Sequence, residues 1–168
     1  KSKRNKTEIV RVLEKYKLPT KFILSMGVIH NRRNIDVIIN SFDKLKNKYH
    51  EYSLVVVGRN STHPFVNIKG MMRKMIKQGR AFEDEDLPAL YQAAHYYICT
   101  STVDGETLML KEAMQSGTPV ITSPLLKGTV GGHGLIIKDP ENVVNTVQVL
   151  SNAMNTDLAN LSLSKVDF

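Results

Sequence analysis

Two carboxylates, Asp104 and Glu112, flank a short segment that could bind a polar ligand. The apolar and aromatic run at 96–99 predicts a buried strand, and the sequence from Thr107 onward predicts a helix that ends at Gly117. A strand, a tight loop and a helix N-terminus together form an anion site. The reason is that the first helical turn has unpaired N–H groups and the positive end of the helix dipole.

The spacing of these carboxylates allows two interpretations. A rise of roughly 1.5 Å per residue places Glu112 about 7–8 Å along the axis from a helix start at Thr107. Asp104 could therefore face one end of a ligand while Glu112 reaches another part of it. Alternatively, Asp104 caps the helix and Glu112 is a solvated helix residue. The spacing alone leaves both interpretations open.

Length and composition predict a single globular domain in the cytoplasm. The chain has 168 residues, of which 42% are hydrophobic and 23% are charged. No apolar run approaches the roughly 20 residues that cross a bilayer, and no secretory leader opens the chain. The single cysteine, Cys99, lies in an apolar strand, which argues against a disulfide framework and a thiolate metal site.

The net charge of +7 is concentrated at the N-terminus. Residues 1–17 contain seven basic and two acidic side chains, a net charge of +5, so only +2 remains for the rest of the chain. This distribution predicts a solvated N-terminal extension, frayed over residues 1–6, and no binding of nucleic acid. Because the chain begins with Lys1 rather than Met, we expect it to be a piece of a longer protein.

The order of the predicted elements indicates an α/β fold with a doubly wound parallel sheet. Continuous apolar strands that alternate with helices are typical of βαβ units, whose ligands bind beyond the carboxyl ends of the strands at the switch in strand order. Strands are predicted at 22–27, 53–58, 75–78, 96–99, from Val120 onward and at 134–137. Helices are predicted at 7–16, 34–48, 64–73, 87–94, 107–116, 143–154 and after 156, with a loop at 123–132.

The segment that starts at Asp104 resembles a known family signature. The spacing D-x7-E between Asp104 and Glu112 is followed by A-M-Q-S-G-T-P-V-I at 113–121. This resembles the E-x7-E signature of the retaining GT-B glycosyltransferases, specifically the C-terminal domain of family 4, glycosyl transferases group 1. The resemblance extends from about Lys21 to Asn142. It implies a Rossmann-like doubly wound parallel sheet, the C-terminal half of a GT-B fold.

The resemblance also implies a function for the chain. The whole of residues 1–168 would be one donor domain, which binds a nucleotide-diphospho-sugar within a metal-independent retaining glycosyltransferase of glycan or polysaccharide biosynthesis. An N-terminal Rossmann-like domain, absent from this chain, would hold a glycan or lipid-linked acceptor, so the fragment alone should not transfer sugar. No cofactor is implied besides the nucleotide sugar itself, which is a substrate. A peripheral membrane association of the full enzyme is compatible with the family.

The resemblance also implies which residues form the site at the ends of the strands. The catalytic residues would be Asp104, Glu112 and Arg33, with Arg33 on the diphosphate and Glu112 accepting hydrogen bonds from both ribose hydroxyls. The nucleotide sugar would be contacted by Gly27, Arg32, Arg33, Gly79, Arg80, Phe82, Ser101, Gly105, Glu106, Thr107, Leu108 and Glu112.

The chain departs from the family pattern at two places. In the family the first strand ends in G-R, and a basic residue follows five positions later. Here Val28 follows Gly27, so only Arg33 matches, and Arg32 or His30 would have to substitute for the missing arginine. The central loop reads D-G-E-T instead of E-G-F-G, and Glu106 adds negative charge near the expected diphosphate. Two alternatives stay open: a non-catalytic nucleotide-binding or interaction module with a degenerate site, and a GT-B nucleotide-sugar epimerase.

The acidic run from Glu83 to Asp86 also has two interpretations. Asp84 and Asp86 have the D-x-D spacing of metal-dependent glycosyltransferases. Negative charge in the first turn of a helix is also what the helix dipole favours. We predict a helix start here, and no metal ligand.

Overall fold

The computed structural model describes residues 5–26, 34–57, 82–101 and 107–156. In these ranges the strands are β1 (Phe22–Met26), β2 (Ser53–Val57), β3 (Tyr96–Cys99), β4 (Val120–Thr122) and β5 (Leu135–Ile136). The helices are α1 (Lys6–Lys15), α2 (Ile35–Leu45), α3 (Leu87–Ala93), α4 (Thr107–Gln115), α5 (Lys127–Val130) and α6 (Val143–Thr156). Short 3-10 turns, Asp84–Asp86 and Pro124–Leu126, precede α3 and α5.

The strands form one parallel sheet in the order β2-β1-β3-β4-β5, which confirms the predicted fold class. The strand order reverses direction at β1, so the topological switch lies between β1 and β3. Ligands of such sheets bind beyond the carboxyl ends of the strands at this point. The sequence predicts that ligand loops at the strand ends converge here, at 27–33, 58–63, 79–82 and 100–107. Residues 27–33, 58–63, 79–81 and 102–106 of these loops lie outside the described residues.

Helices cover both faces of the sheet, because alternate side chains of each strand point to opposite faces and both sets are apolar. The face covered by α1, α3 and α4 buries Val12, Phe22, Leu24, Val55, Val57, Leu90, Tyr91, Tyr97, Cys99, Leu110 and Ala113. The face covered by α2 and α6 buries Ile23, Ile38, Phe42, Leu54, Val56, Tyr96, Ile98, Leu150 and Ala153. In the described ranges, no helix combines the length and the apolar character needed to span a bilayer.

Several predicted boundaries differ from the structure. The predicted loop at 123–132 contains a 3-10 turn and α5, because Leu126 and Val130 are buried in the core and impose a helical spacing. Gly131, with φ of 60°, then ends α5. Helix α2 ends at Leu45, before the predicted boundary, and α6 continues to Thr156, beyond its predicted end. The elements predicted at 64–73, at 75–78 and beyond 156 lie outside the described residues.

The basic N-terminal segment is attached to the fold through Asp86, a contact that the sequence did not predict. The carboxylate of Asp86 is 1% exposed and accepts hydrogen bonds from Arg11 Nη2 at 2.6 Å and Lys15 Nζ at 2.7 Å. The Tyr16 hydroxyl also donates to this carboxylate and accepts the Glu83 amide N–H at 3.1 Å. The expectation of a purely solvated terminal charge was therefore wrong for Arg11 and Lys15.

The start of α1 lies inside the extension that was expected to fray. Helix α1 begins at Lys6, and the side chain of Asn5 caps it by accepting the Glu8 amide N–H at 3.2 Å. A side-chain acceptor at this position satisfies one of the unpaired amides of the first turn. The fraying expected for residues 1–4 lies outside the described residues and stays a prediction.

The predicted helix start at the acidic run is confirmed, since the turn Asp84–Asp86 leads directly into α3. Asp86 itself is held by cations and a hydroxyl rather than by solvent. The hydrogen bond from Lys15, followed by those from Tyr16 and Arg11, keeps the pKa of the Asp86 carboxyl well below its usual range.

Replacing Tyr16 with phenylalanine tests this attachment. Tyr16→Phe removes the hydroxyl but keeps the ring, which packs edge-on against Phe82 at a centroid distance of 4.6 Å. We expect the free energy of unfolding, measured by urea denaturation, to fall by about 1–3 kcal/mol, because a hydrogen bond to a charged group is lost. The control is Tyr96→Phe, whose hydroxyl donates to the neutral carbonyl of Ala153 at 2.7 Å. If Tyr16→Phe lowers the free energy of unfolding by less than Tyr96→Phe does, the Tyr16 hydroxyl does not attach the N-terminal segment to Asp86.

The pH dependence of stability provides a second test. Because folding lowers the pKa of Asp86, its contribution to stability is complete above the unfolded pKa of about 3.9 and is lost as the pH falls towards the folded pKa. We expect the free energy of unfolding of wild type to exceed that of Asp86→Asn at pH 7. The difference between the two should shrink as the pH falls to 2. Glu85→Gln, which removes an exposed carboxylate in the same turn, should run parallel to wild type. A constant gap between wild type and Asp86→Asn would contradict the assignment.

Candidate functional site

A cleft of about 520 Å³ between α3 and α4 contains Glu112, the predicted catalytic residue that lies within the described ranges. This volume is within the range of small-molecule sites, roughly 300–1,000 Å³. The cleft is lined by Asp84, Leu87, Pro88, Tyr91, Gln92, Glu112, Gln115 and Ser116.

The helical repeat explains why these residues share one cleft. Along α3 and the turn before it, the lining residues recur every three or four positions, at 84, 87, 88, 91 and 92. At the end of α4 the same spacing places 112, 115 and 116 on one side of the helix. Beneath the cleft, Leu90 of α3 and Leu110 of α4 are buried in the same core cluster. The Thr118 hydroxyl donates to the Tyr91 carbonyl and joins the two helices at their ends.

Glu112 has a definite partner in the cleft. The Tyr91 hydroxyl donates a hydrogen bond of 3.0 Å to Glu112 Oε2. Tyr91 is 1% exposed, and its ring contacts Tyr97 edge-on at a centroid distance of 5.8 Å. Burial, the neighbouring Tyr97 and the Glu112 carboxylate raise the pKa of Tyr91 far above its usual range, so its hydroxyl stays protonated and acts as a donor. Sequence reasoning placed Tyr91 in a helix but did not identify it as a site residue.

Glu112 has acceptor capacity beyond its hydrogen bond with Tyr91. Glu112 is half-buried, and within the described part of the chain Oε1 accepts no hydrogen bond. A carboxylate has about four acceptor positions, so one hydrogen bond from Tyr91 leaves capacity for two hydroxyl donors. Glu112 is therefore not the fully solvated helix residue that its spacing from Asp104 left possible.

The burial of α4 settles which side of the helix faces the core. The sequence left Leu108 and Leu110 ambiguous as markers, and the structure buries Leu110 while Leu108 is 68% exposed. Ala113 and Gly117 are small residues beside Glu112 that the sequence suggests could leave room for a ligand; Ala113 is buried in the core, whereas a Cβ at Gly117 would meet no atom within 4 Å. The open space next to Glu112 lies on the α3 side.

Two hydrogen bonds anchor the residues that flank predicted ligand loops at the carboxyl ends of the strands. Asn34, directly after the 27–33 segment, donates through Nδ2 to the Thr100 carbonyl at 3.1 Å. The Ser123 hydroxyl donates to the Ser101 carbonyl at 2.7 Å and fixes the start of the segment that follows β3. The loop that leads into α2 and the loop that leads into α4 are therefore anchored at neighbouring points.

Two further predicted contact residues, Ser101 and Phe82, are buried. Ser101 lies directly after β3, and Phe82 packs against Tyr16. Thr107 is the first residue of α4. The remaining predicted residues lie outside the described ranges, so their roles stay predictions: Gly27, Arg32, Arg33, Gly79, Arg80, Asp104, Gly105 and Glu106. The described residues contain no cluster of three or more His, Cys, Asp or Glu side chains that could hold a metal ion.

Comparison with solved structures confirms the fold. WaaG, a glycosyltransferase involved in lipopolysaccharide biosynthesis, superposes with a TM-score of 0.74 at 18% identity, over 96% of this chain and 45% of that one. The C-terminal domain of a glycosyl transferase group 1 family protein from Francisella tularensis superposes with a TM-score of 0.67 at 17% identity, over 91% of this chain and 85% of that one. These similarities identify a domain of GT-B type.

Comparison with the sequences of known proteins shows which family the chain belongs to. O-antigen chain mannosyltransferase B from Escherichia coli is 31% identical over 148 residues, which make up 83% of this chain and 39% of that protein. The chain spans less than half the length of the curated relatives that it matches. The profile of the family described as Glycosyl transferases group 1 matches residues 20–153. Since that match covers most of the chain, this protein belongs to the group 1 glycosyl transferases.

Proposed function

We propose that this chain is the donor-binding domain of a metal-independent retaining glycosyltransferase and that the α3–α4 cleft holds the nucleoside of a nucleotide-diphospho-sugar. The observation that carries the proposal is the position of Glu112. Its carboxylate stands on the wall of a 520 Å³ cleft, held by Tyr91 at one oxygen. Glu112 is also the acidic residue of the E-A-M-Q-S-G-T-P-V-I segment on which the family resemblance depends.

The lining of the cleft matches the chemistry of a nucleoside. Leu87 and Pro88 supply apolar surface against which a base could pack, whereas Gln115 and Ser116 add polar groups near Glu112. Ligand sites typically combine apolar walls with a few polar groups that fix orientation. A carboxylate that accepts both ribose hydroxyls would distinguish a ribonucleotide from its 2′-deoxy form, because the deoxy form lacks one donor.

The diphosphate would lie at the switch point, next to the N-terminus of α4. The unpaired amides and the dipole of a helix N-terminus attract anions. Arg33 immediately precedes Asn34 in the sequence, and the Asn34 side chain donates to the carbonyl of Thr100, near the end of β3. We infer that Arg33 and these amides stabilise the departing diphosphate in place of a metal ion. Asp104 and Glu106 would then contact the sugar.

The complete reaction would require a second domain. The chain spans 39% of the length of the E. coli mannosyltransferase, which leaves room for an N-terminal domain that holds the acceptor. The name of that relative places it in O-antigen synthesis. We propose a comparable role for the full protein, the transfer of a hexosyl group to a glycan or lipid-linked acceptor.

Titration of ribonucleoside and 2′-deoxyribonucleoside diphosphates tests the role of Glu112. We expect calorimetry to show that wild type prefers the ribo form. Glu112→Ala should weaken binding of the ribo form by about 1.5–3 kcal/mol, the value of hydrogen bonds to a charged group. It should weaken the deoxy form less, because that form loses only the hydrogen bond of its 3′-hydroxyl, so the preference for the ribo form should disappear.

The matched control is Glu51→Ala. It removes the same charge from an exposed position just before β2. This position lies at the amino ends of the parallel strands, away from the carboxyl ends where the ligand is expected. Its affinities should equal those of wild type. If Glu112→Ala keeps the ribo preference of wild type, Glu112 does not bind the ribose and the proposed placement of the nucleoside is wrong.

A further inference from the structure

We propose that Tyr91 is a positioning residue for ribose recognition, because its hydroxyl holds Glu112 in the orientation that receives the diol. This inference rests on the proposed function, since it concerns the same site. It assigns to α3 a part of the specificity that the family motif places on α4 alone. Tyr91 itself would act through Glu112 and would determine how strongly the site prefers a ribonucleotide.

The contact has the geometry that this role requires. The Tyr91 hydroxyl donates to Glu112 Oε2 at 3.0 Å, and both residues line the cleft. Because the donor occupies Oε2, it restricts the rotation of the carboxylate and leaves the acceptor positions of Oε1 for other donors. The raised pKa of the Tyr91 phenol, which follows from its burial, keeps the hydroxyl in the donating form over the whole working pH range.

The Tyr91 ring is itself held in place from three directions. Its face meets the edge-on ring of Tyr97, whose hydroxyl donates to the Met26 carbonyl at the carboxyl end of β1 at 3.4 Å. Its backbone carbonyl accepts the Thr118 hydroxyl, and its side chain is almost completely removed from solvent. A donor on such a fixed ring can transmit its position to a flexible partner, whereas an exposed tyrosine could not.

Glu112 needs such a partner because a glutamate side chain has three rotatable bonds. Without a fixed donor, the half-buried carboxylate would sample several rotamers, and a ligand would have to restrict them on binding. The Tyr91 hydroxyl restricts them before the ligand arrives. Preorganisation of this kind increases affinity most for the ribo form, which donates two hydroxyls to the ordered carboxylate, and less for the 2′-deoxy form, which donates one.

The other explanation is that the hydroxyl only ties α3 to α4. In that case its loss would lower stability but leave ribose discrimination unchanged. Tyr96 offers a control for this, since its side chain is equally buried and its hydroxyl donates at 2.7 Å to the Ala153 carbonyl on the opposite face of the sheet. Tyr96→Phe removes a buried tyrosine hydroxyl without touching Glu112.

The experiment titrates the 168-residue chain with the 5′-diphosphates of uridine, guanosine and adenosine and with their 2′-deoxy forms. The ribo-to-deoxy affinity ratio is then measured for wild type and four variants: Tyr91→Phe, Tyr96→Phe, Glu112→Ala and the double variant Tyr91→Phe with Glu112→Ala. We expect Tyr91→Phe to lower the ratio by about two- to tenfold, the effect of having to order one flexible side chain on binding. Tyr96→Phe should leave the ratio unchanged.

The double variant isolates the coupling between the two residues. Its ratio should equal that of Glu112→Ala alone, because Tyr91 acts only through Glu112. Tyr91→Met, which fills the space with a flexible apolar side chain, is a second variant with the same expected loss and serves if Tyr91→Phe does not fold.

The outcomes separate this inference from the proposed function. The positioning role would be overturned if Tyr91→Phe and Tyr91→Met keep the ribo-to-deoxy affinity ratio of wild type while Glu112→Ala loses the preference for the ribo form. That result would leave the proposed function intact. Absence of nucleotide binding by wild type, or an unchanged ratio in Glu112→Ala, would overturn the proposed function and this inference with it.

Discussion

The requirement that a parallel sheet be covered on both faces determines most of this structure. Apolar side chains alternate between the faces of β1, β2 and β3, so α1, α3 and α4 must pack on one side and α2 and α6 on the other. Helices α3 and α4 meet through Leu90, Leu110 and Ala113 in the core. The cleft lies between the same two helices and is lined by residues of both. The site is therefore a consequence of how two helices cover one sheet face.

The N-terminal helix supports the cleft through its ion pairs with Asp86 and through the Asn5 amide, which donates to Gln92 Oε1 at 3.4 Å. Arg11, Lys15 and Tyr16 all bind Asp86, the last residue of the turn that begins α3. The same turn contains Asp84, which lines the cleft. An ion pair with so little solvent exposure on the acidic side fixes its surroundings more firmly than a surface pair does. The position of the first turn of α3, and hence one wall of the cleft, thus depends on residues about 70 positions earlier in the chain.

The sequence predicted the parts of the fold that depend on local pattern. Apolar runs located β1, β2 and β3 within a residue or so, and the motif identified Glu112. Local sequence patterns could not predict which residues contact each other across the structure. Tyr91 and Glu112 are 21 positions apart, and neither the helical repeat of α3 nor that of α4 states which side chains face each other. The same limit applied to α4, where the spacing of Leu108 and Leu110 did not reveal the buried side.

A structure of the chain bound to a ribonucleoside diphosphate would test the central claim most directly. The account predicts the nucleoside in the α3–α4 cleft, with both ribose hydroxyls within hydrogen-bond distance of the Glu112 carboxylate and the Tyr91 hydroxyl still on Oε2. A ribose bound away from this cleft, or one whose hydroxyls are held by other side chains while Glu112 contacts only Tyr91, would contradict it.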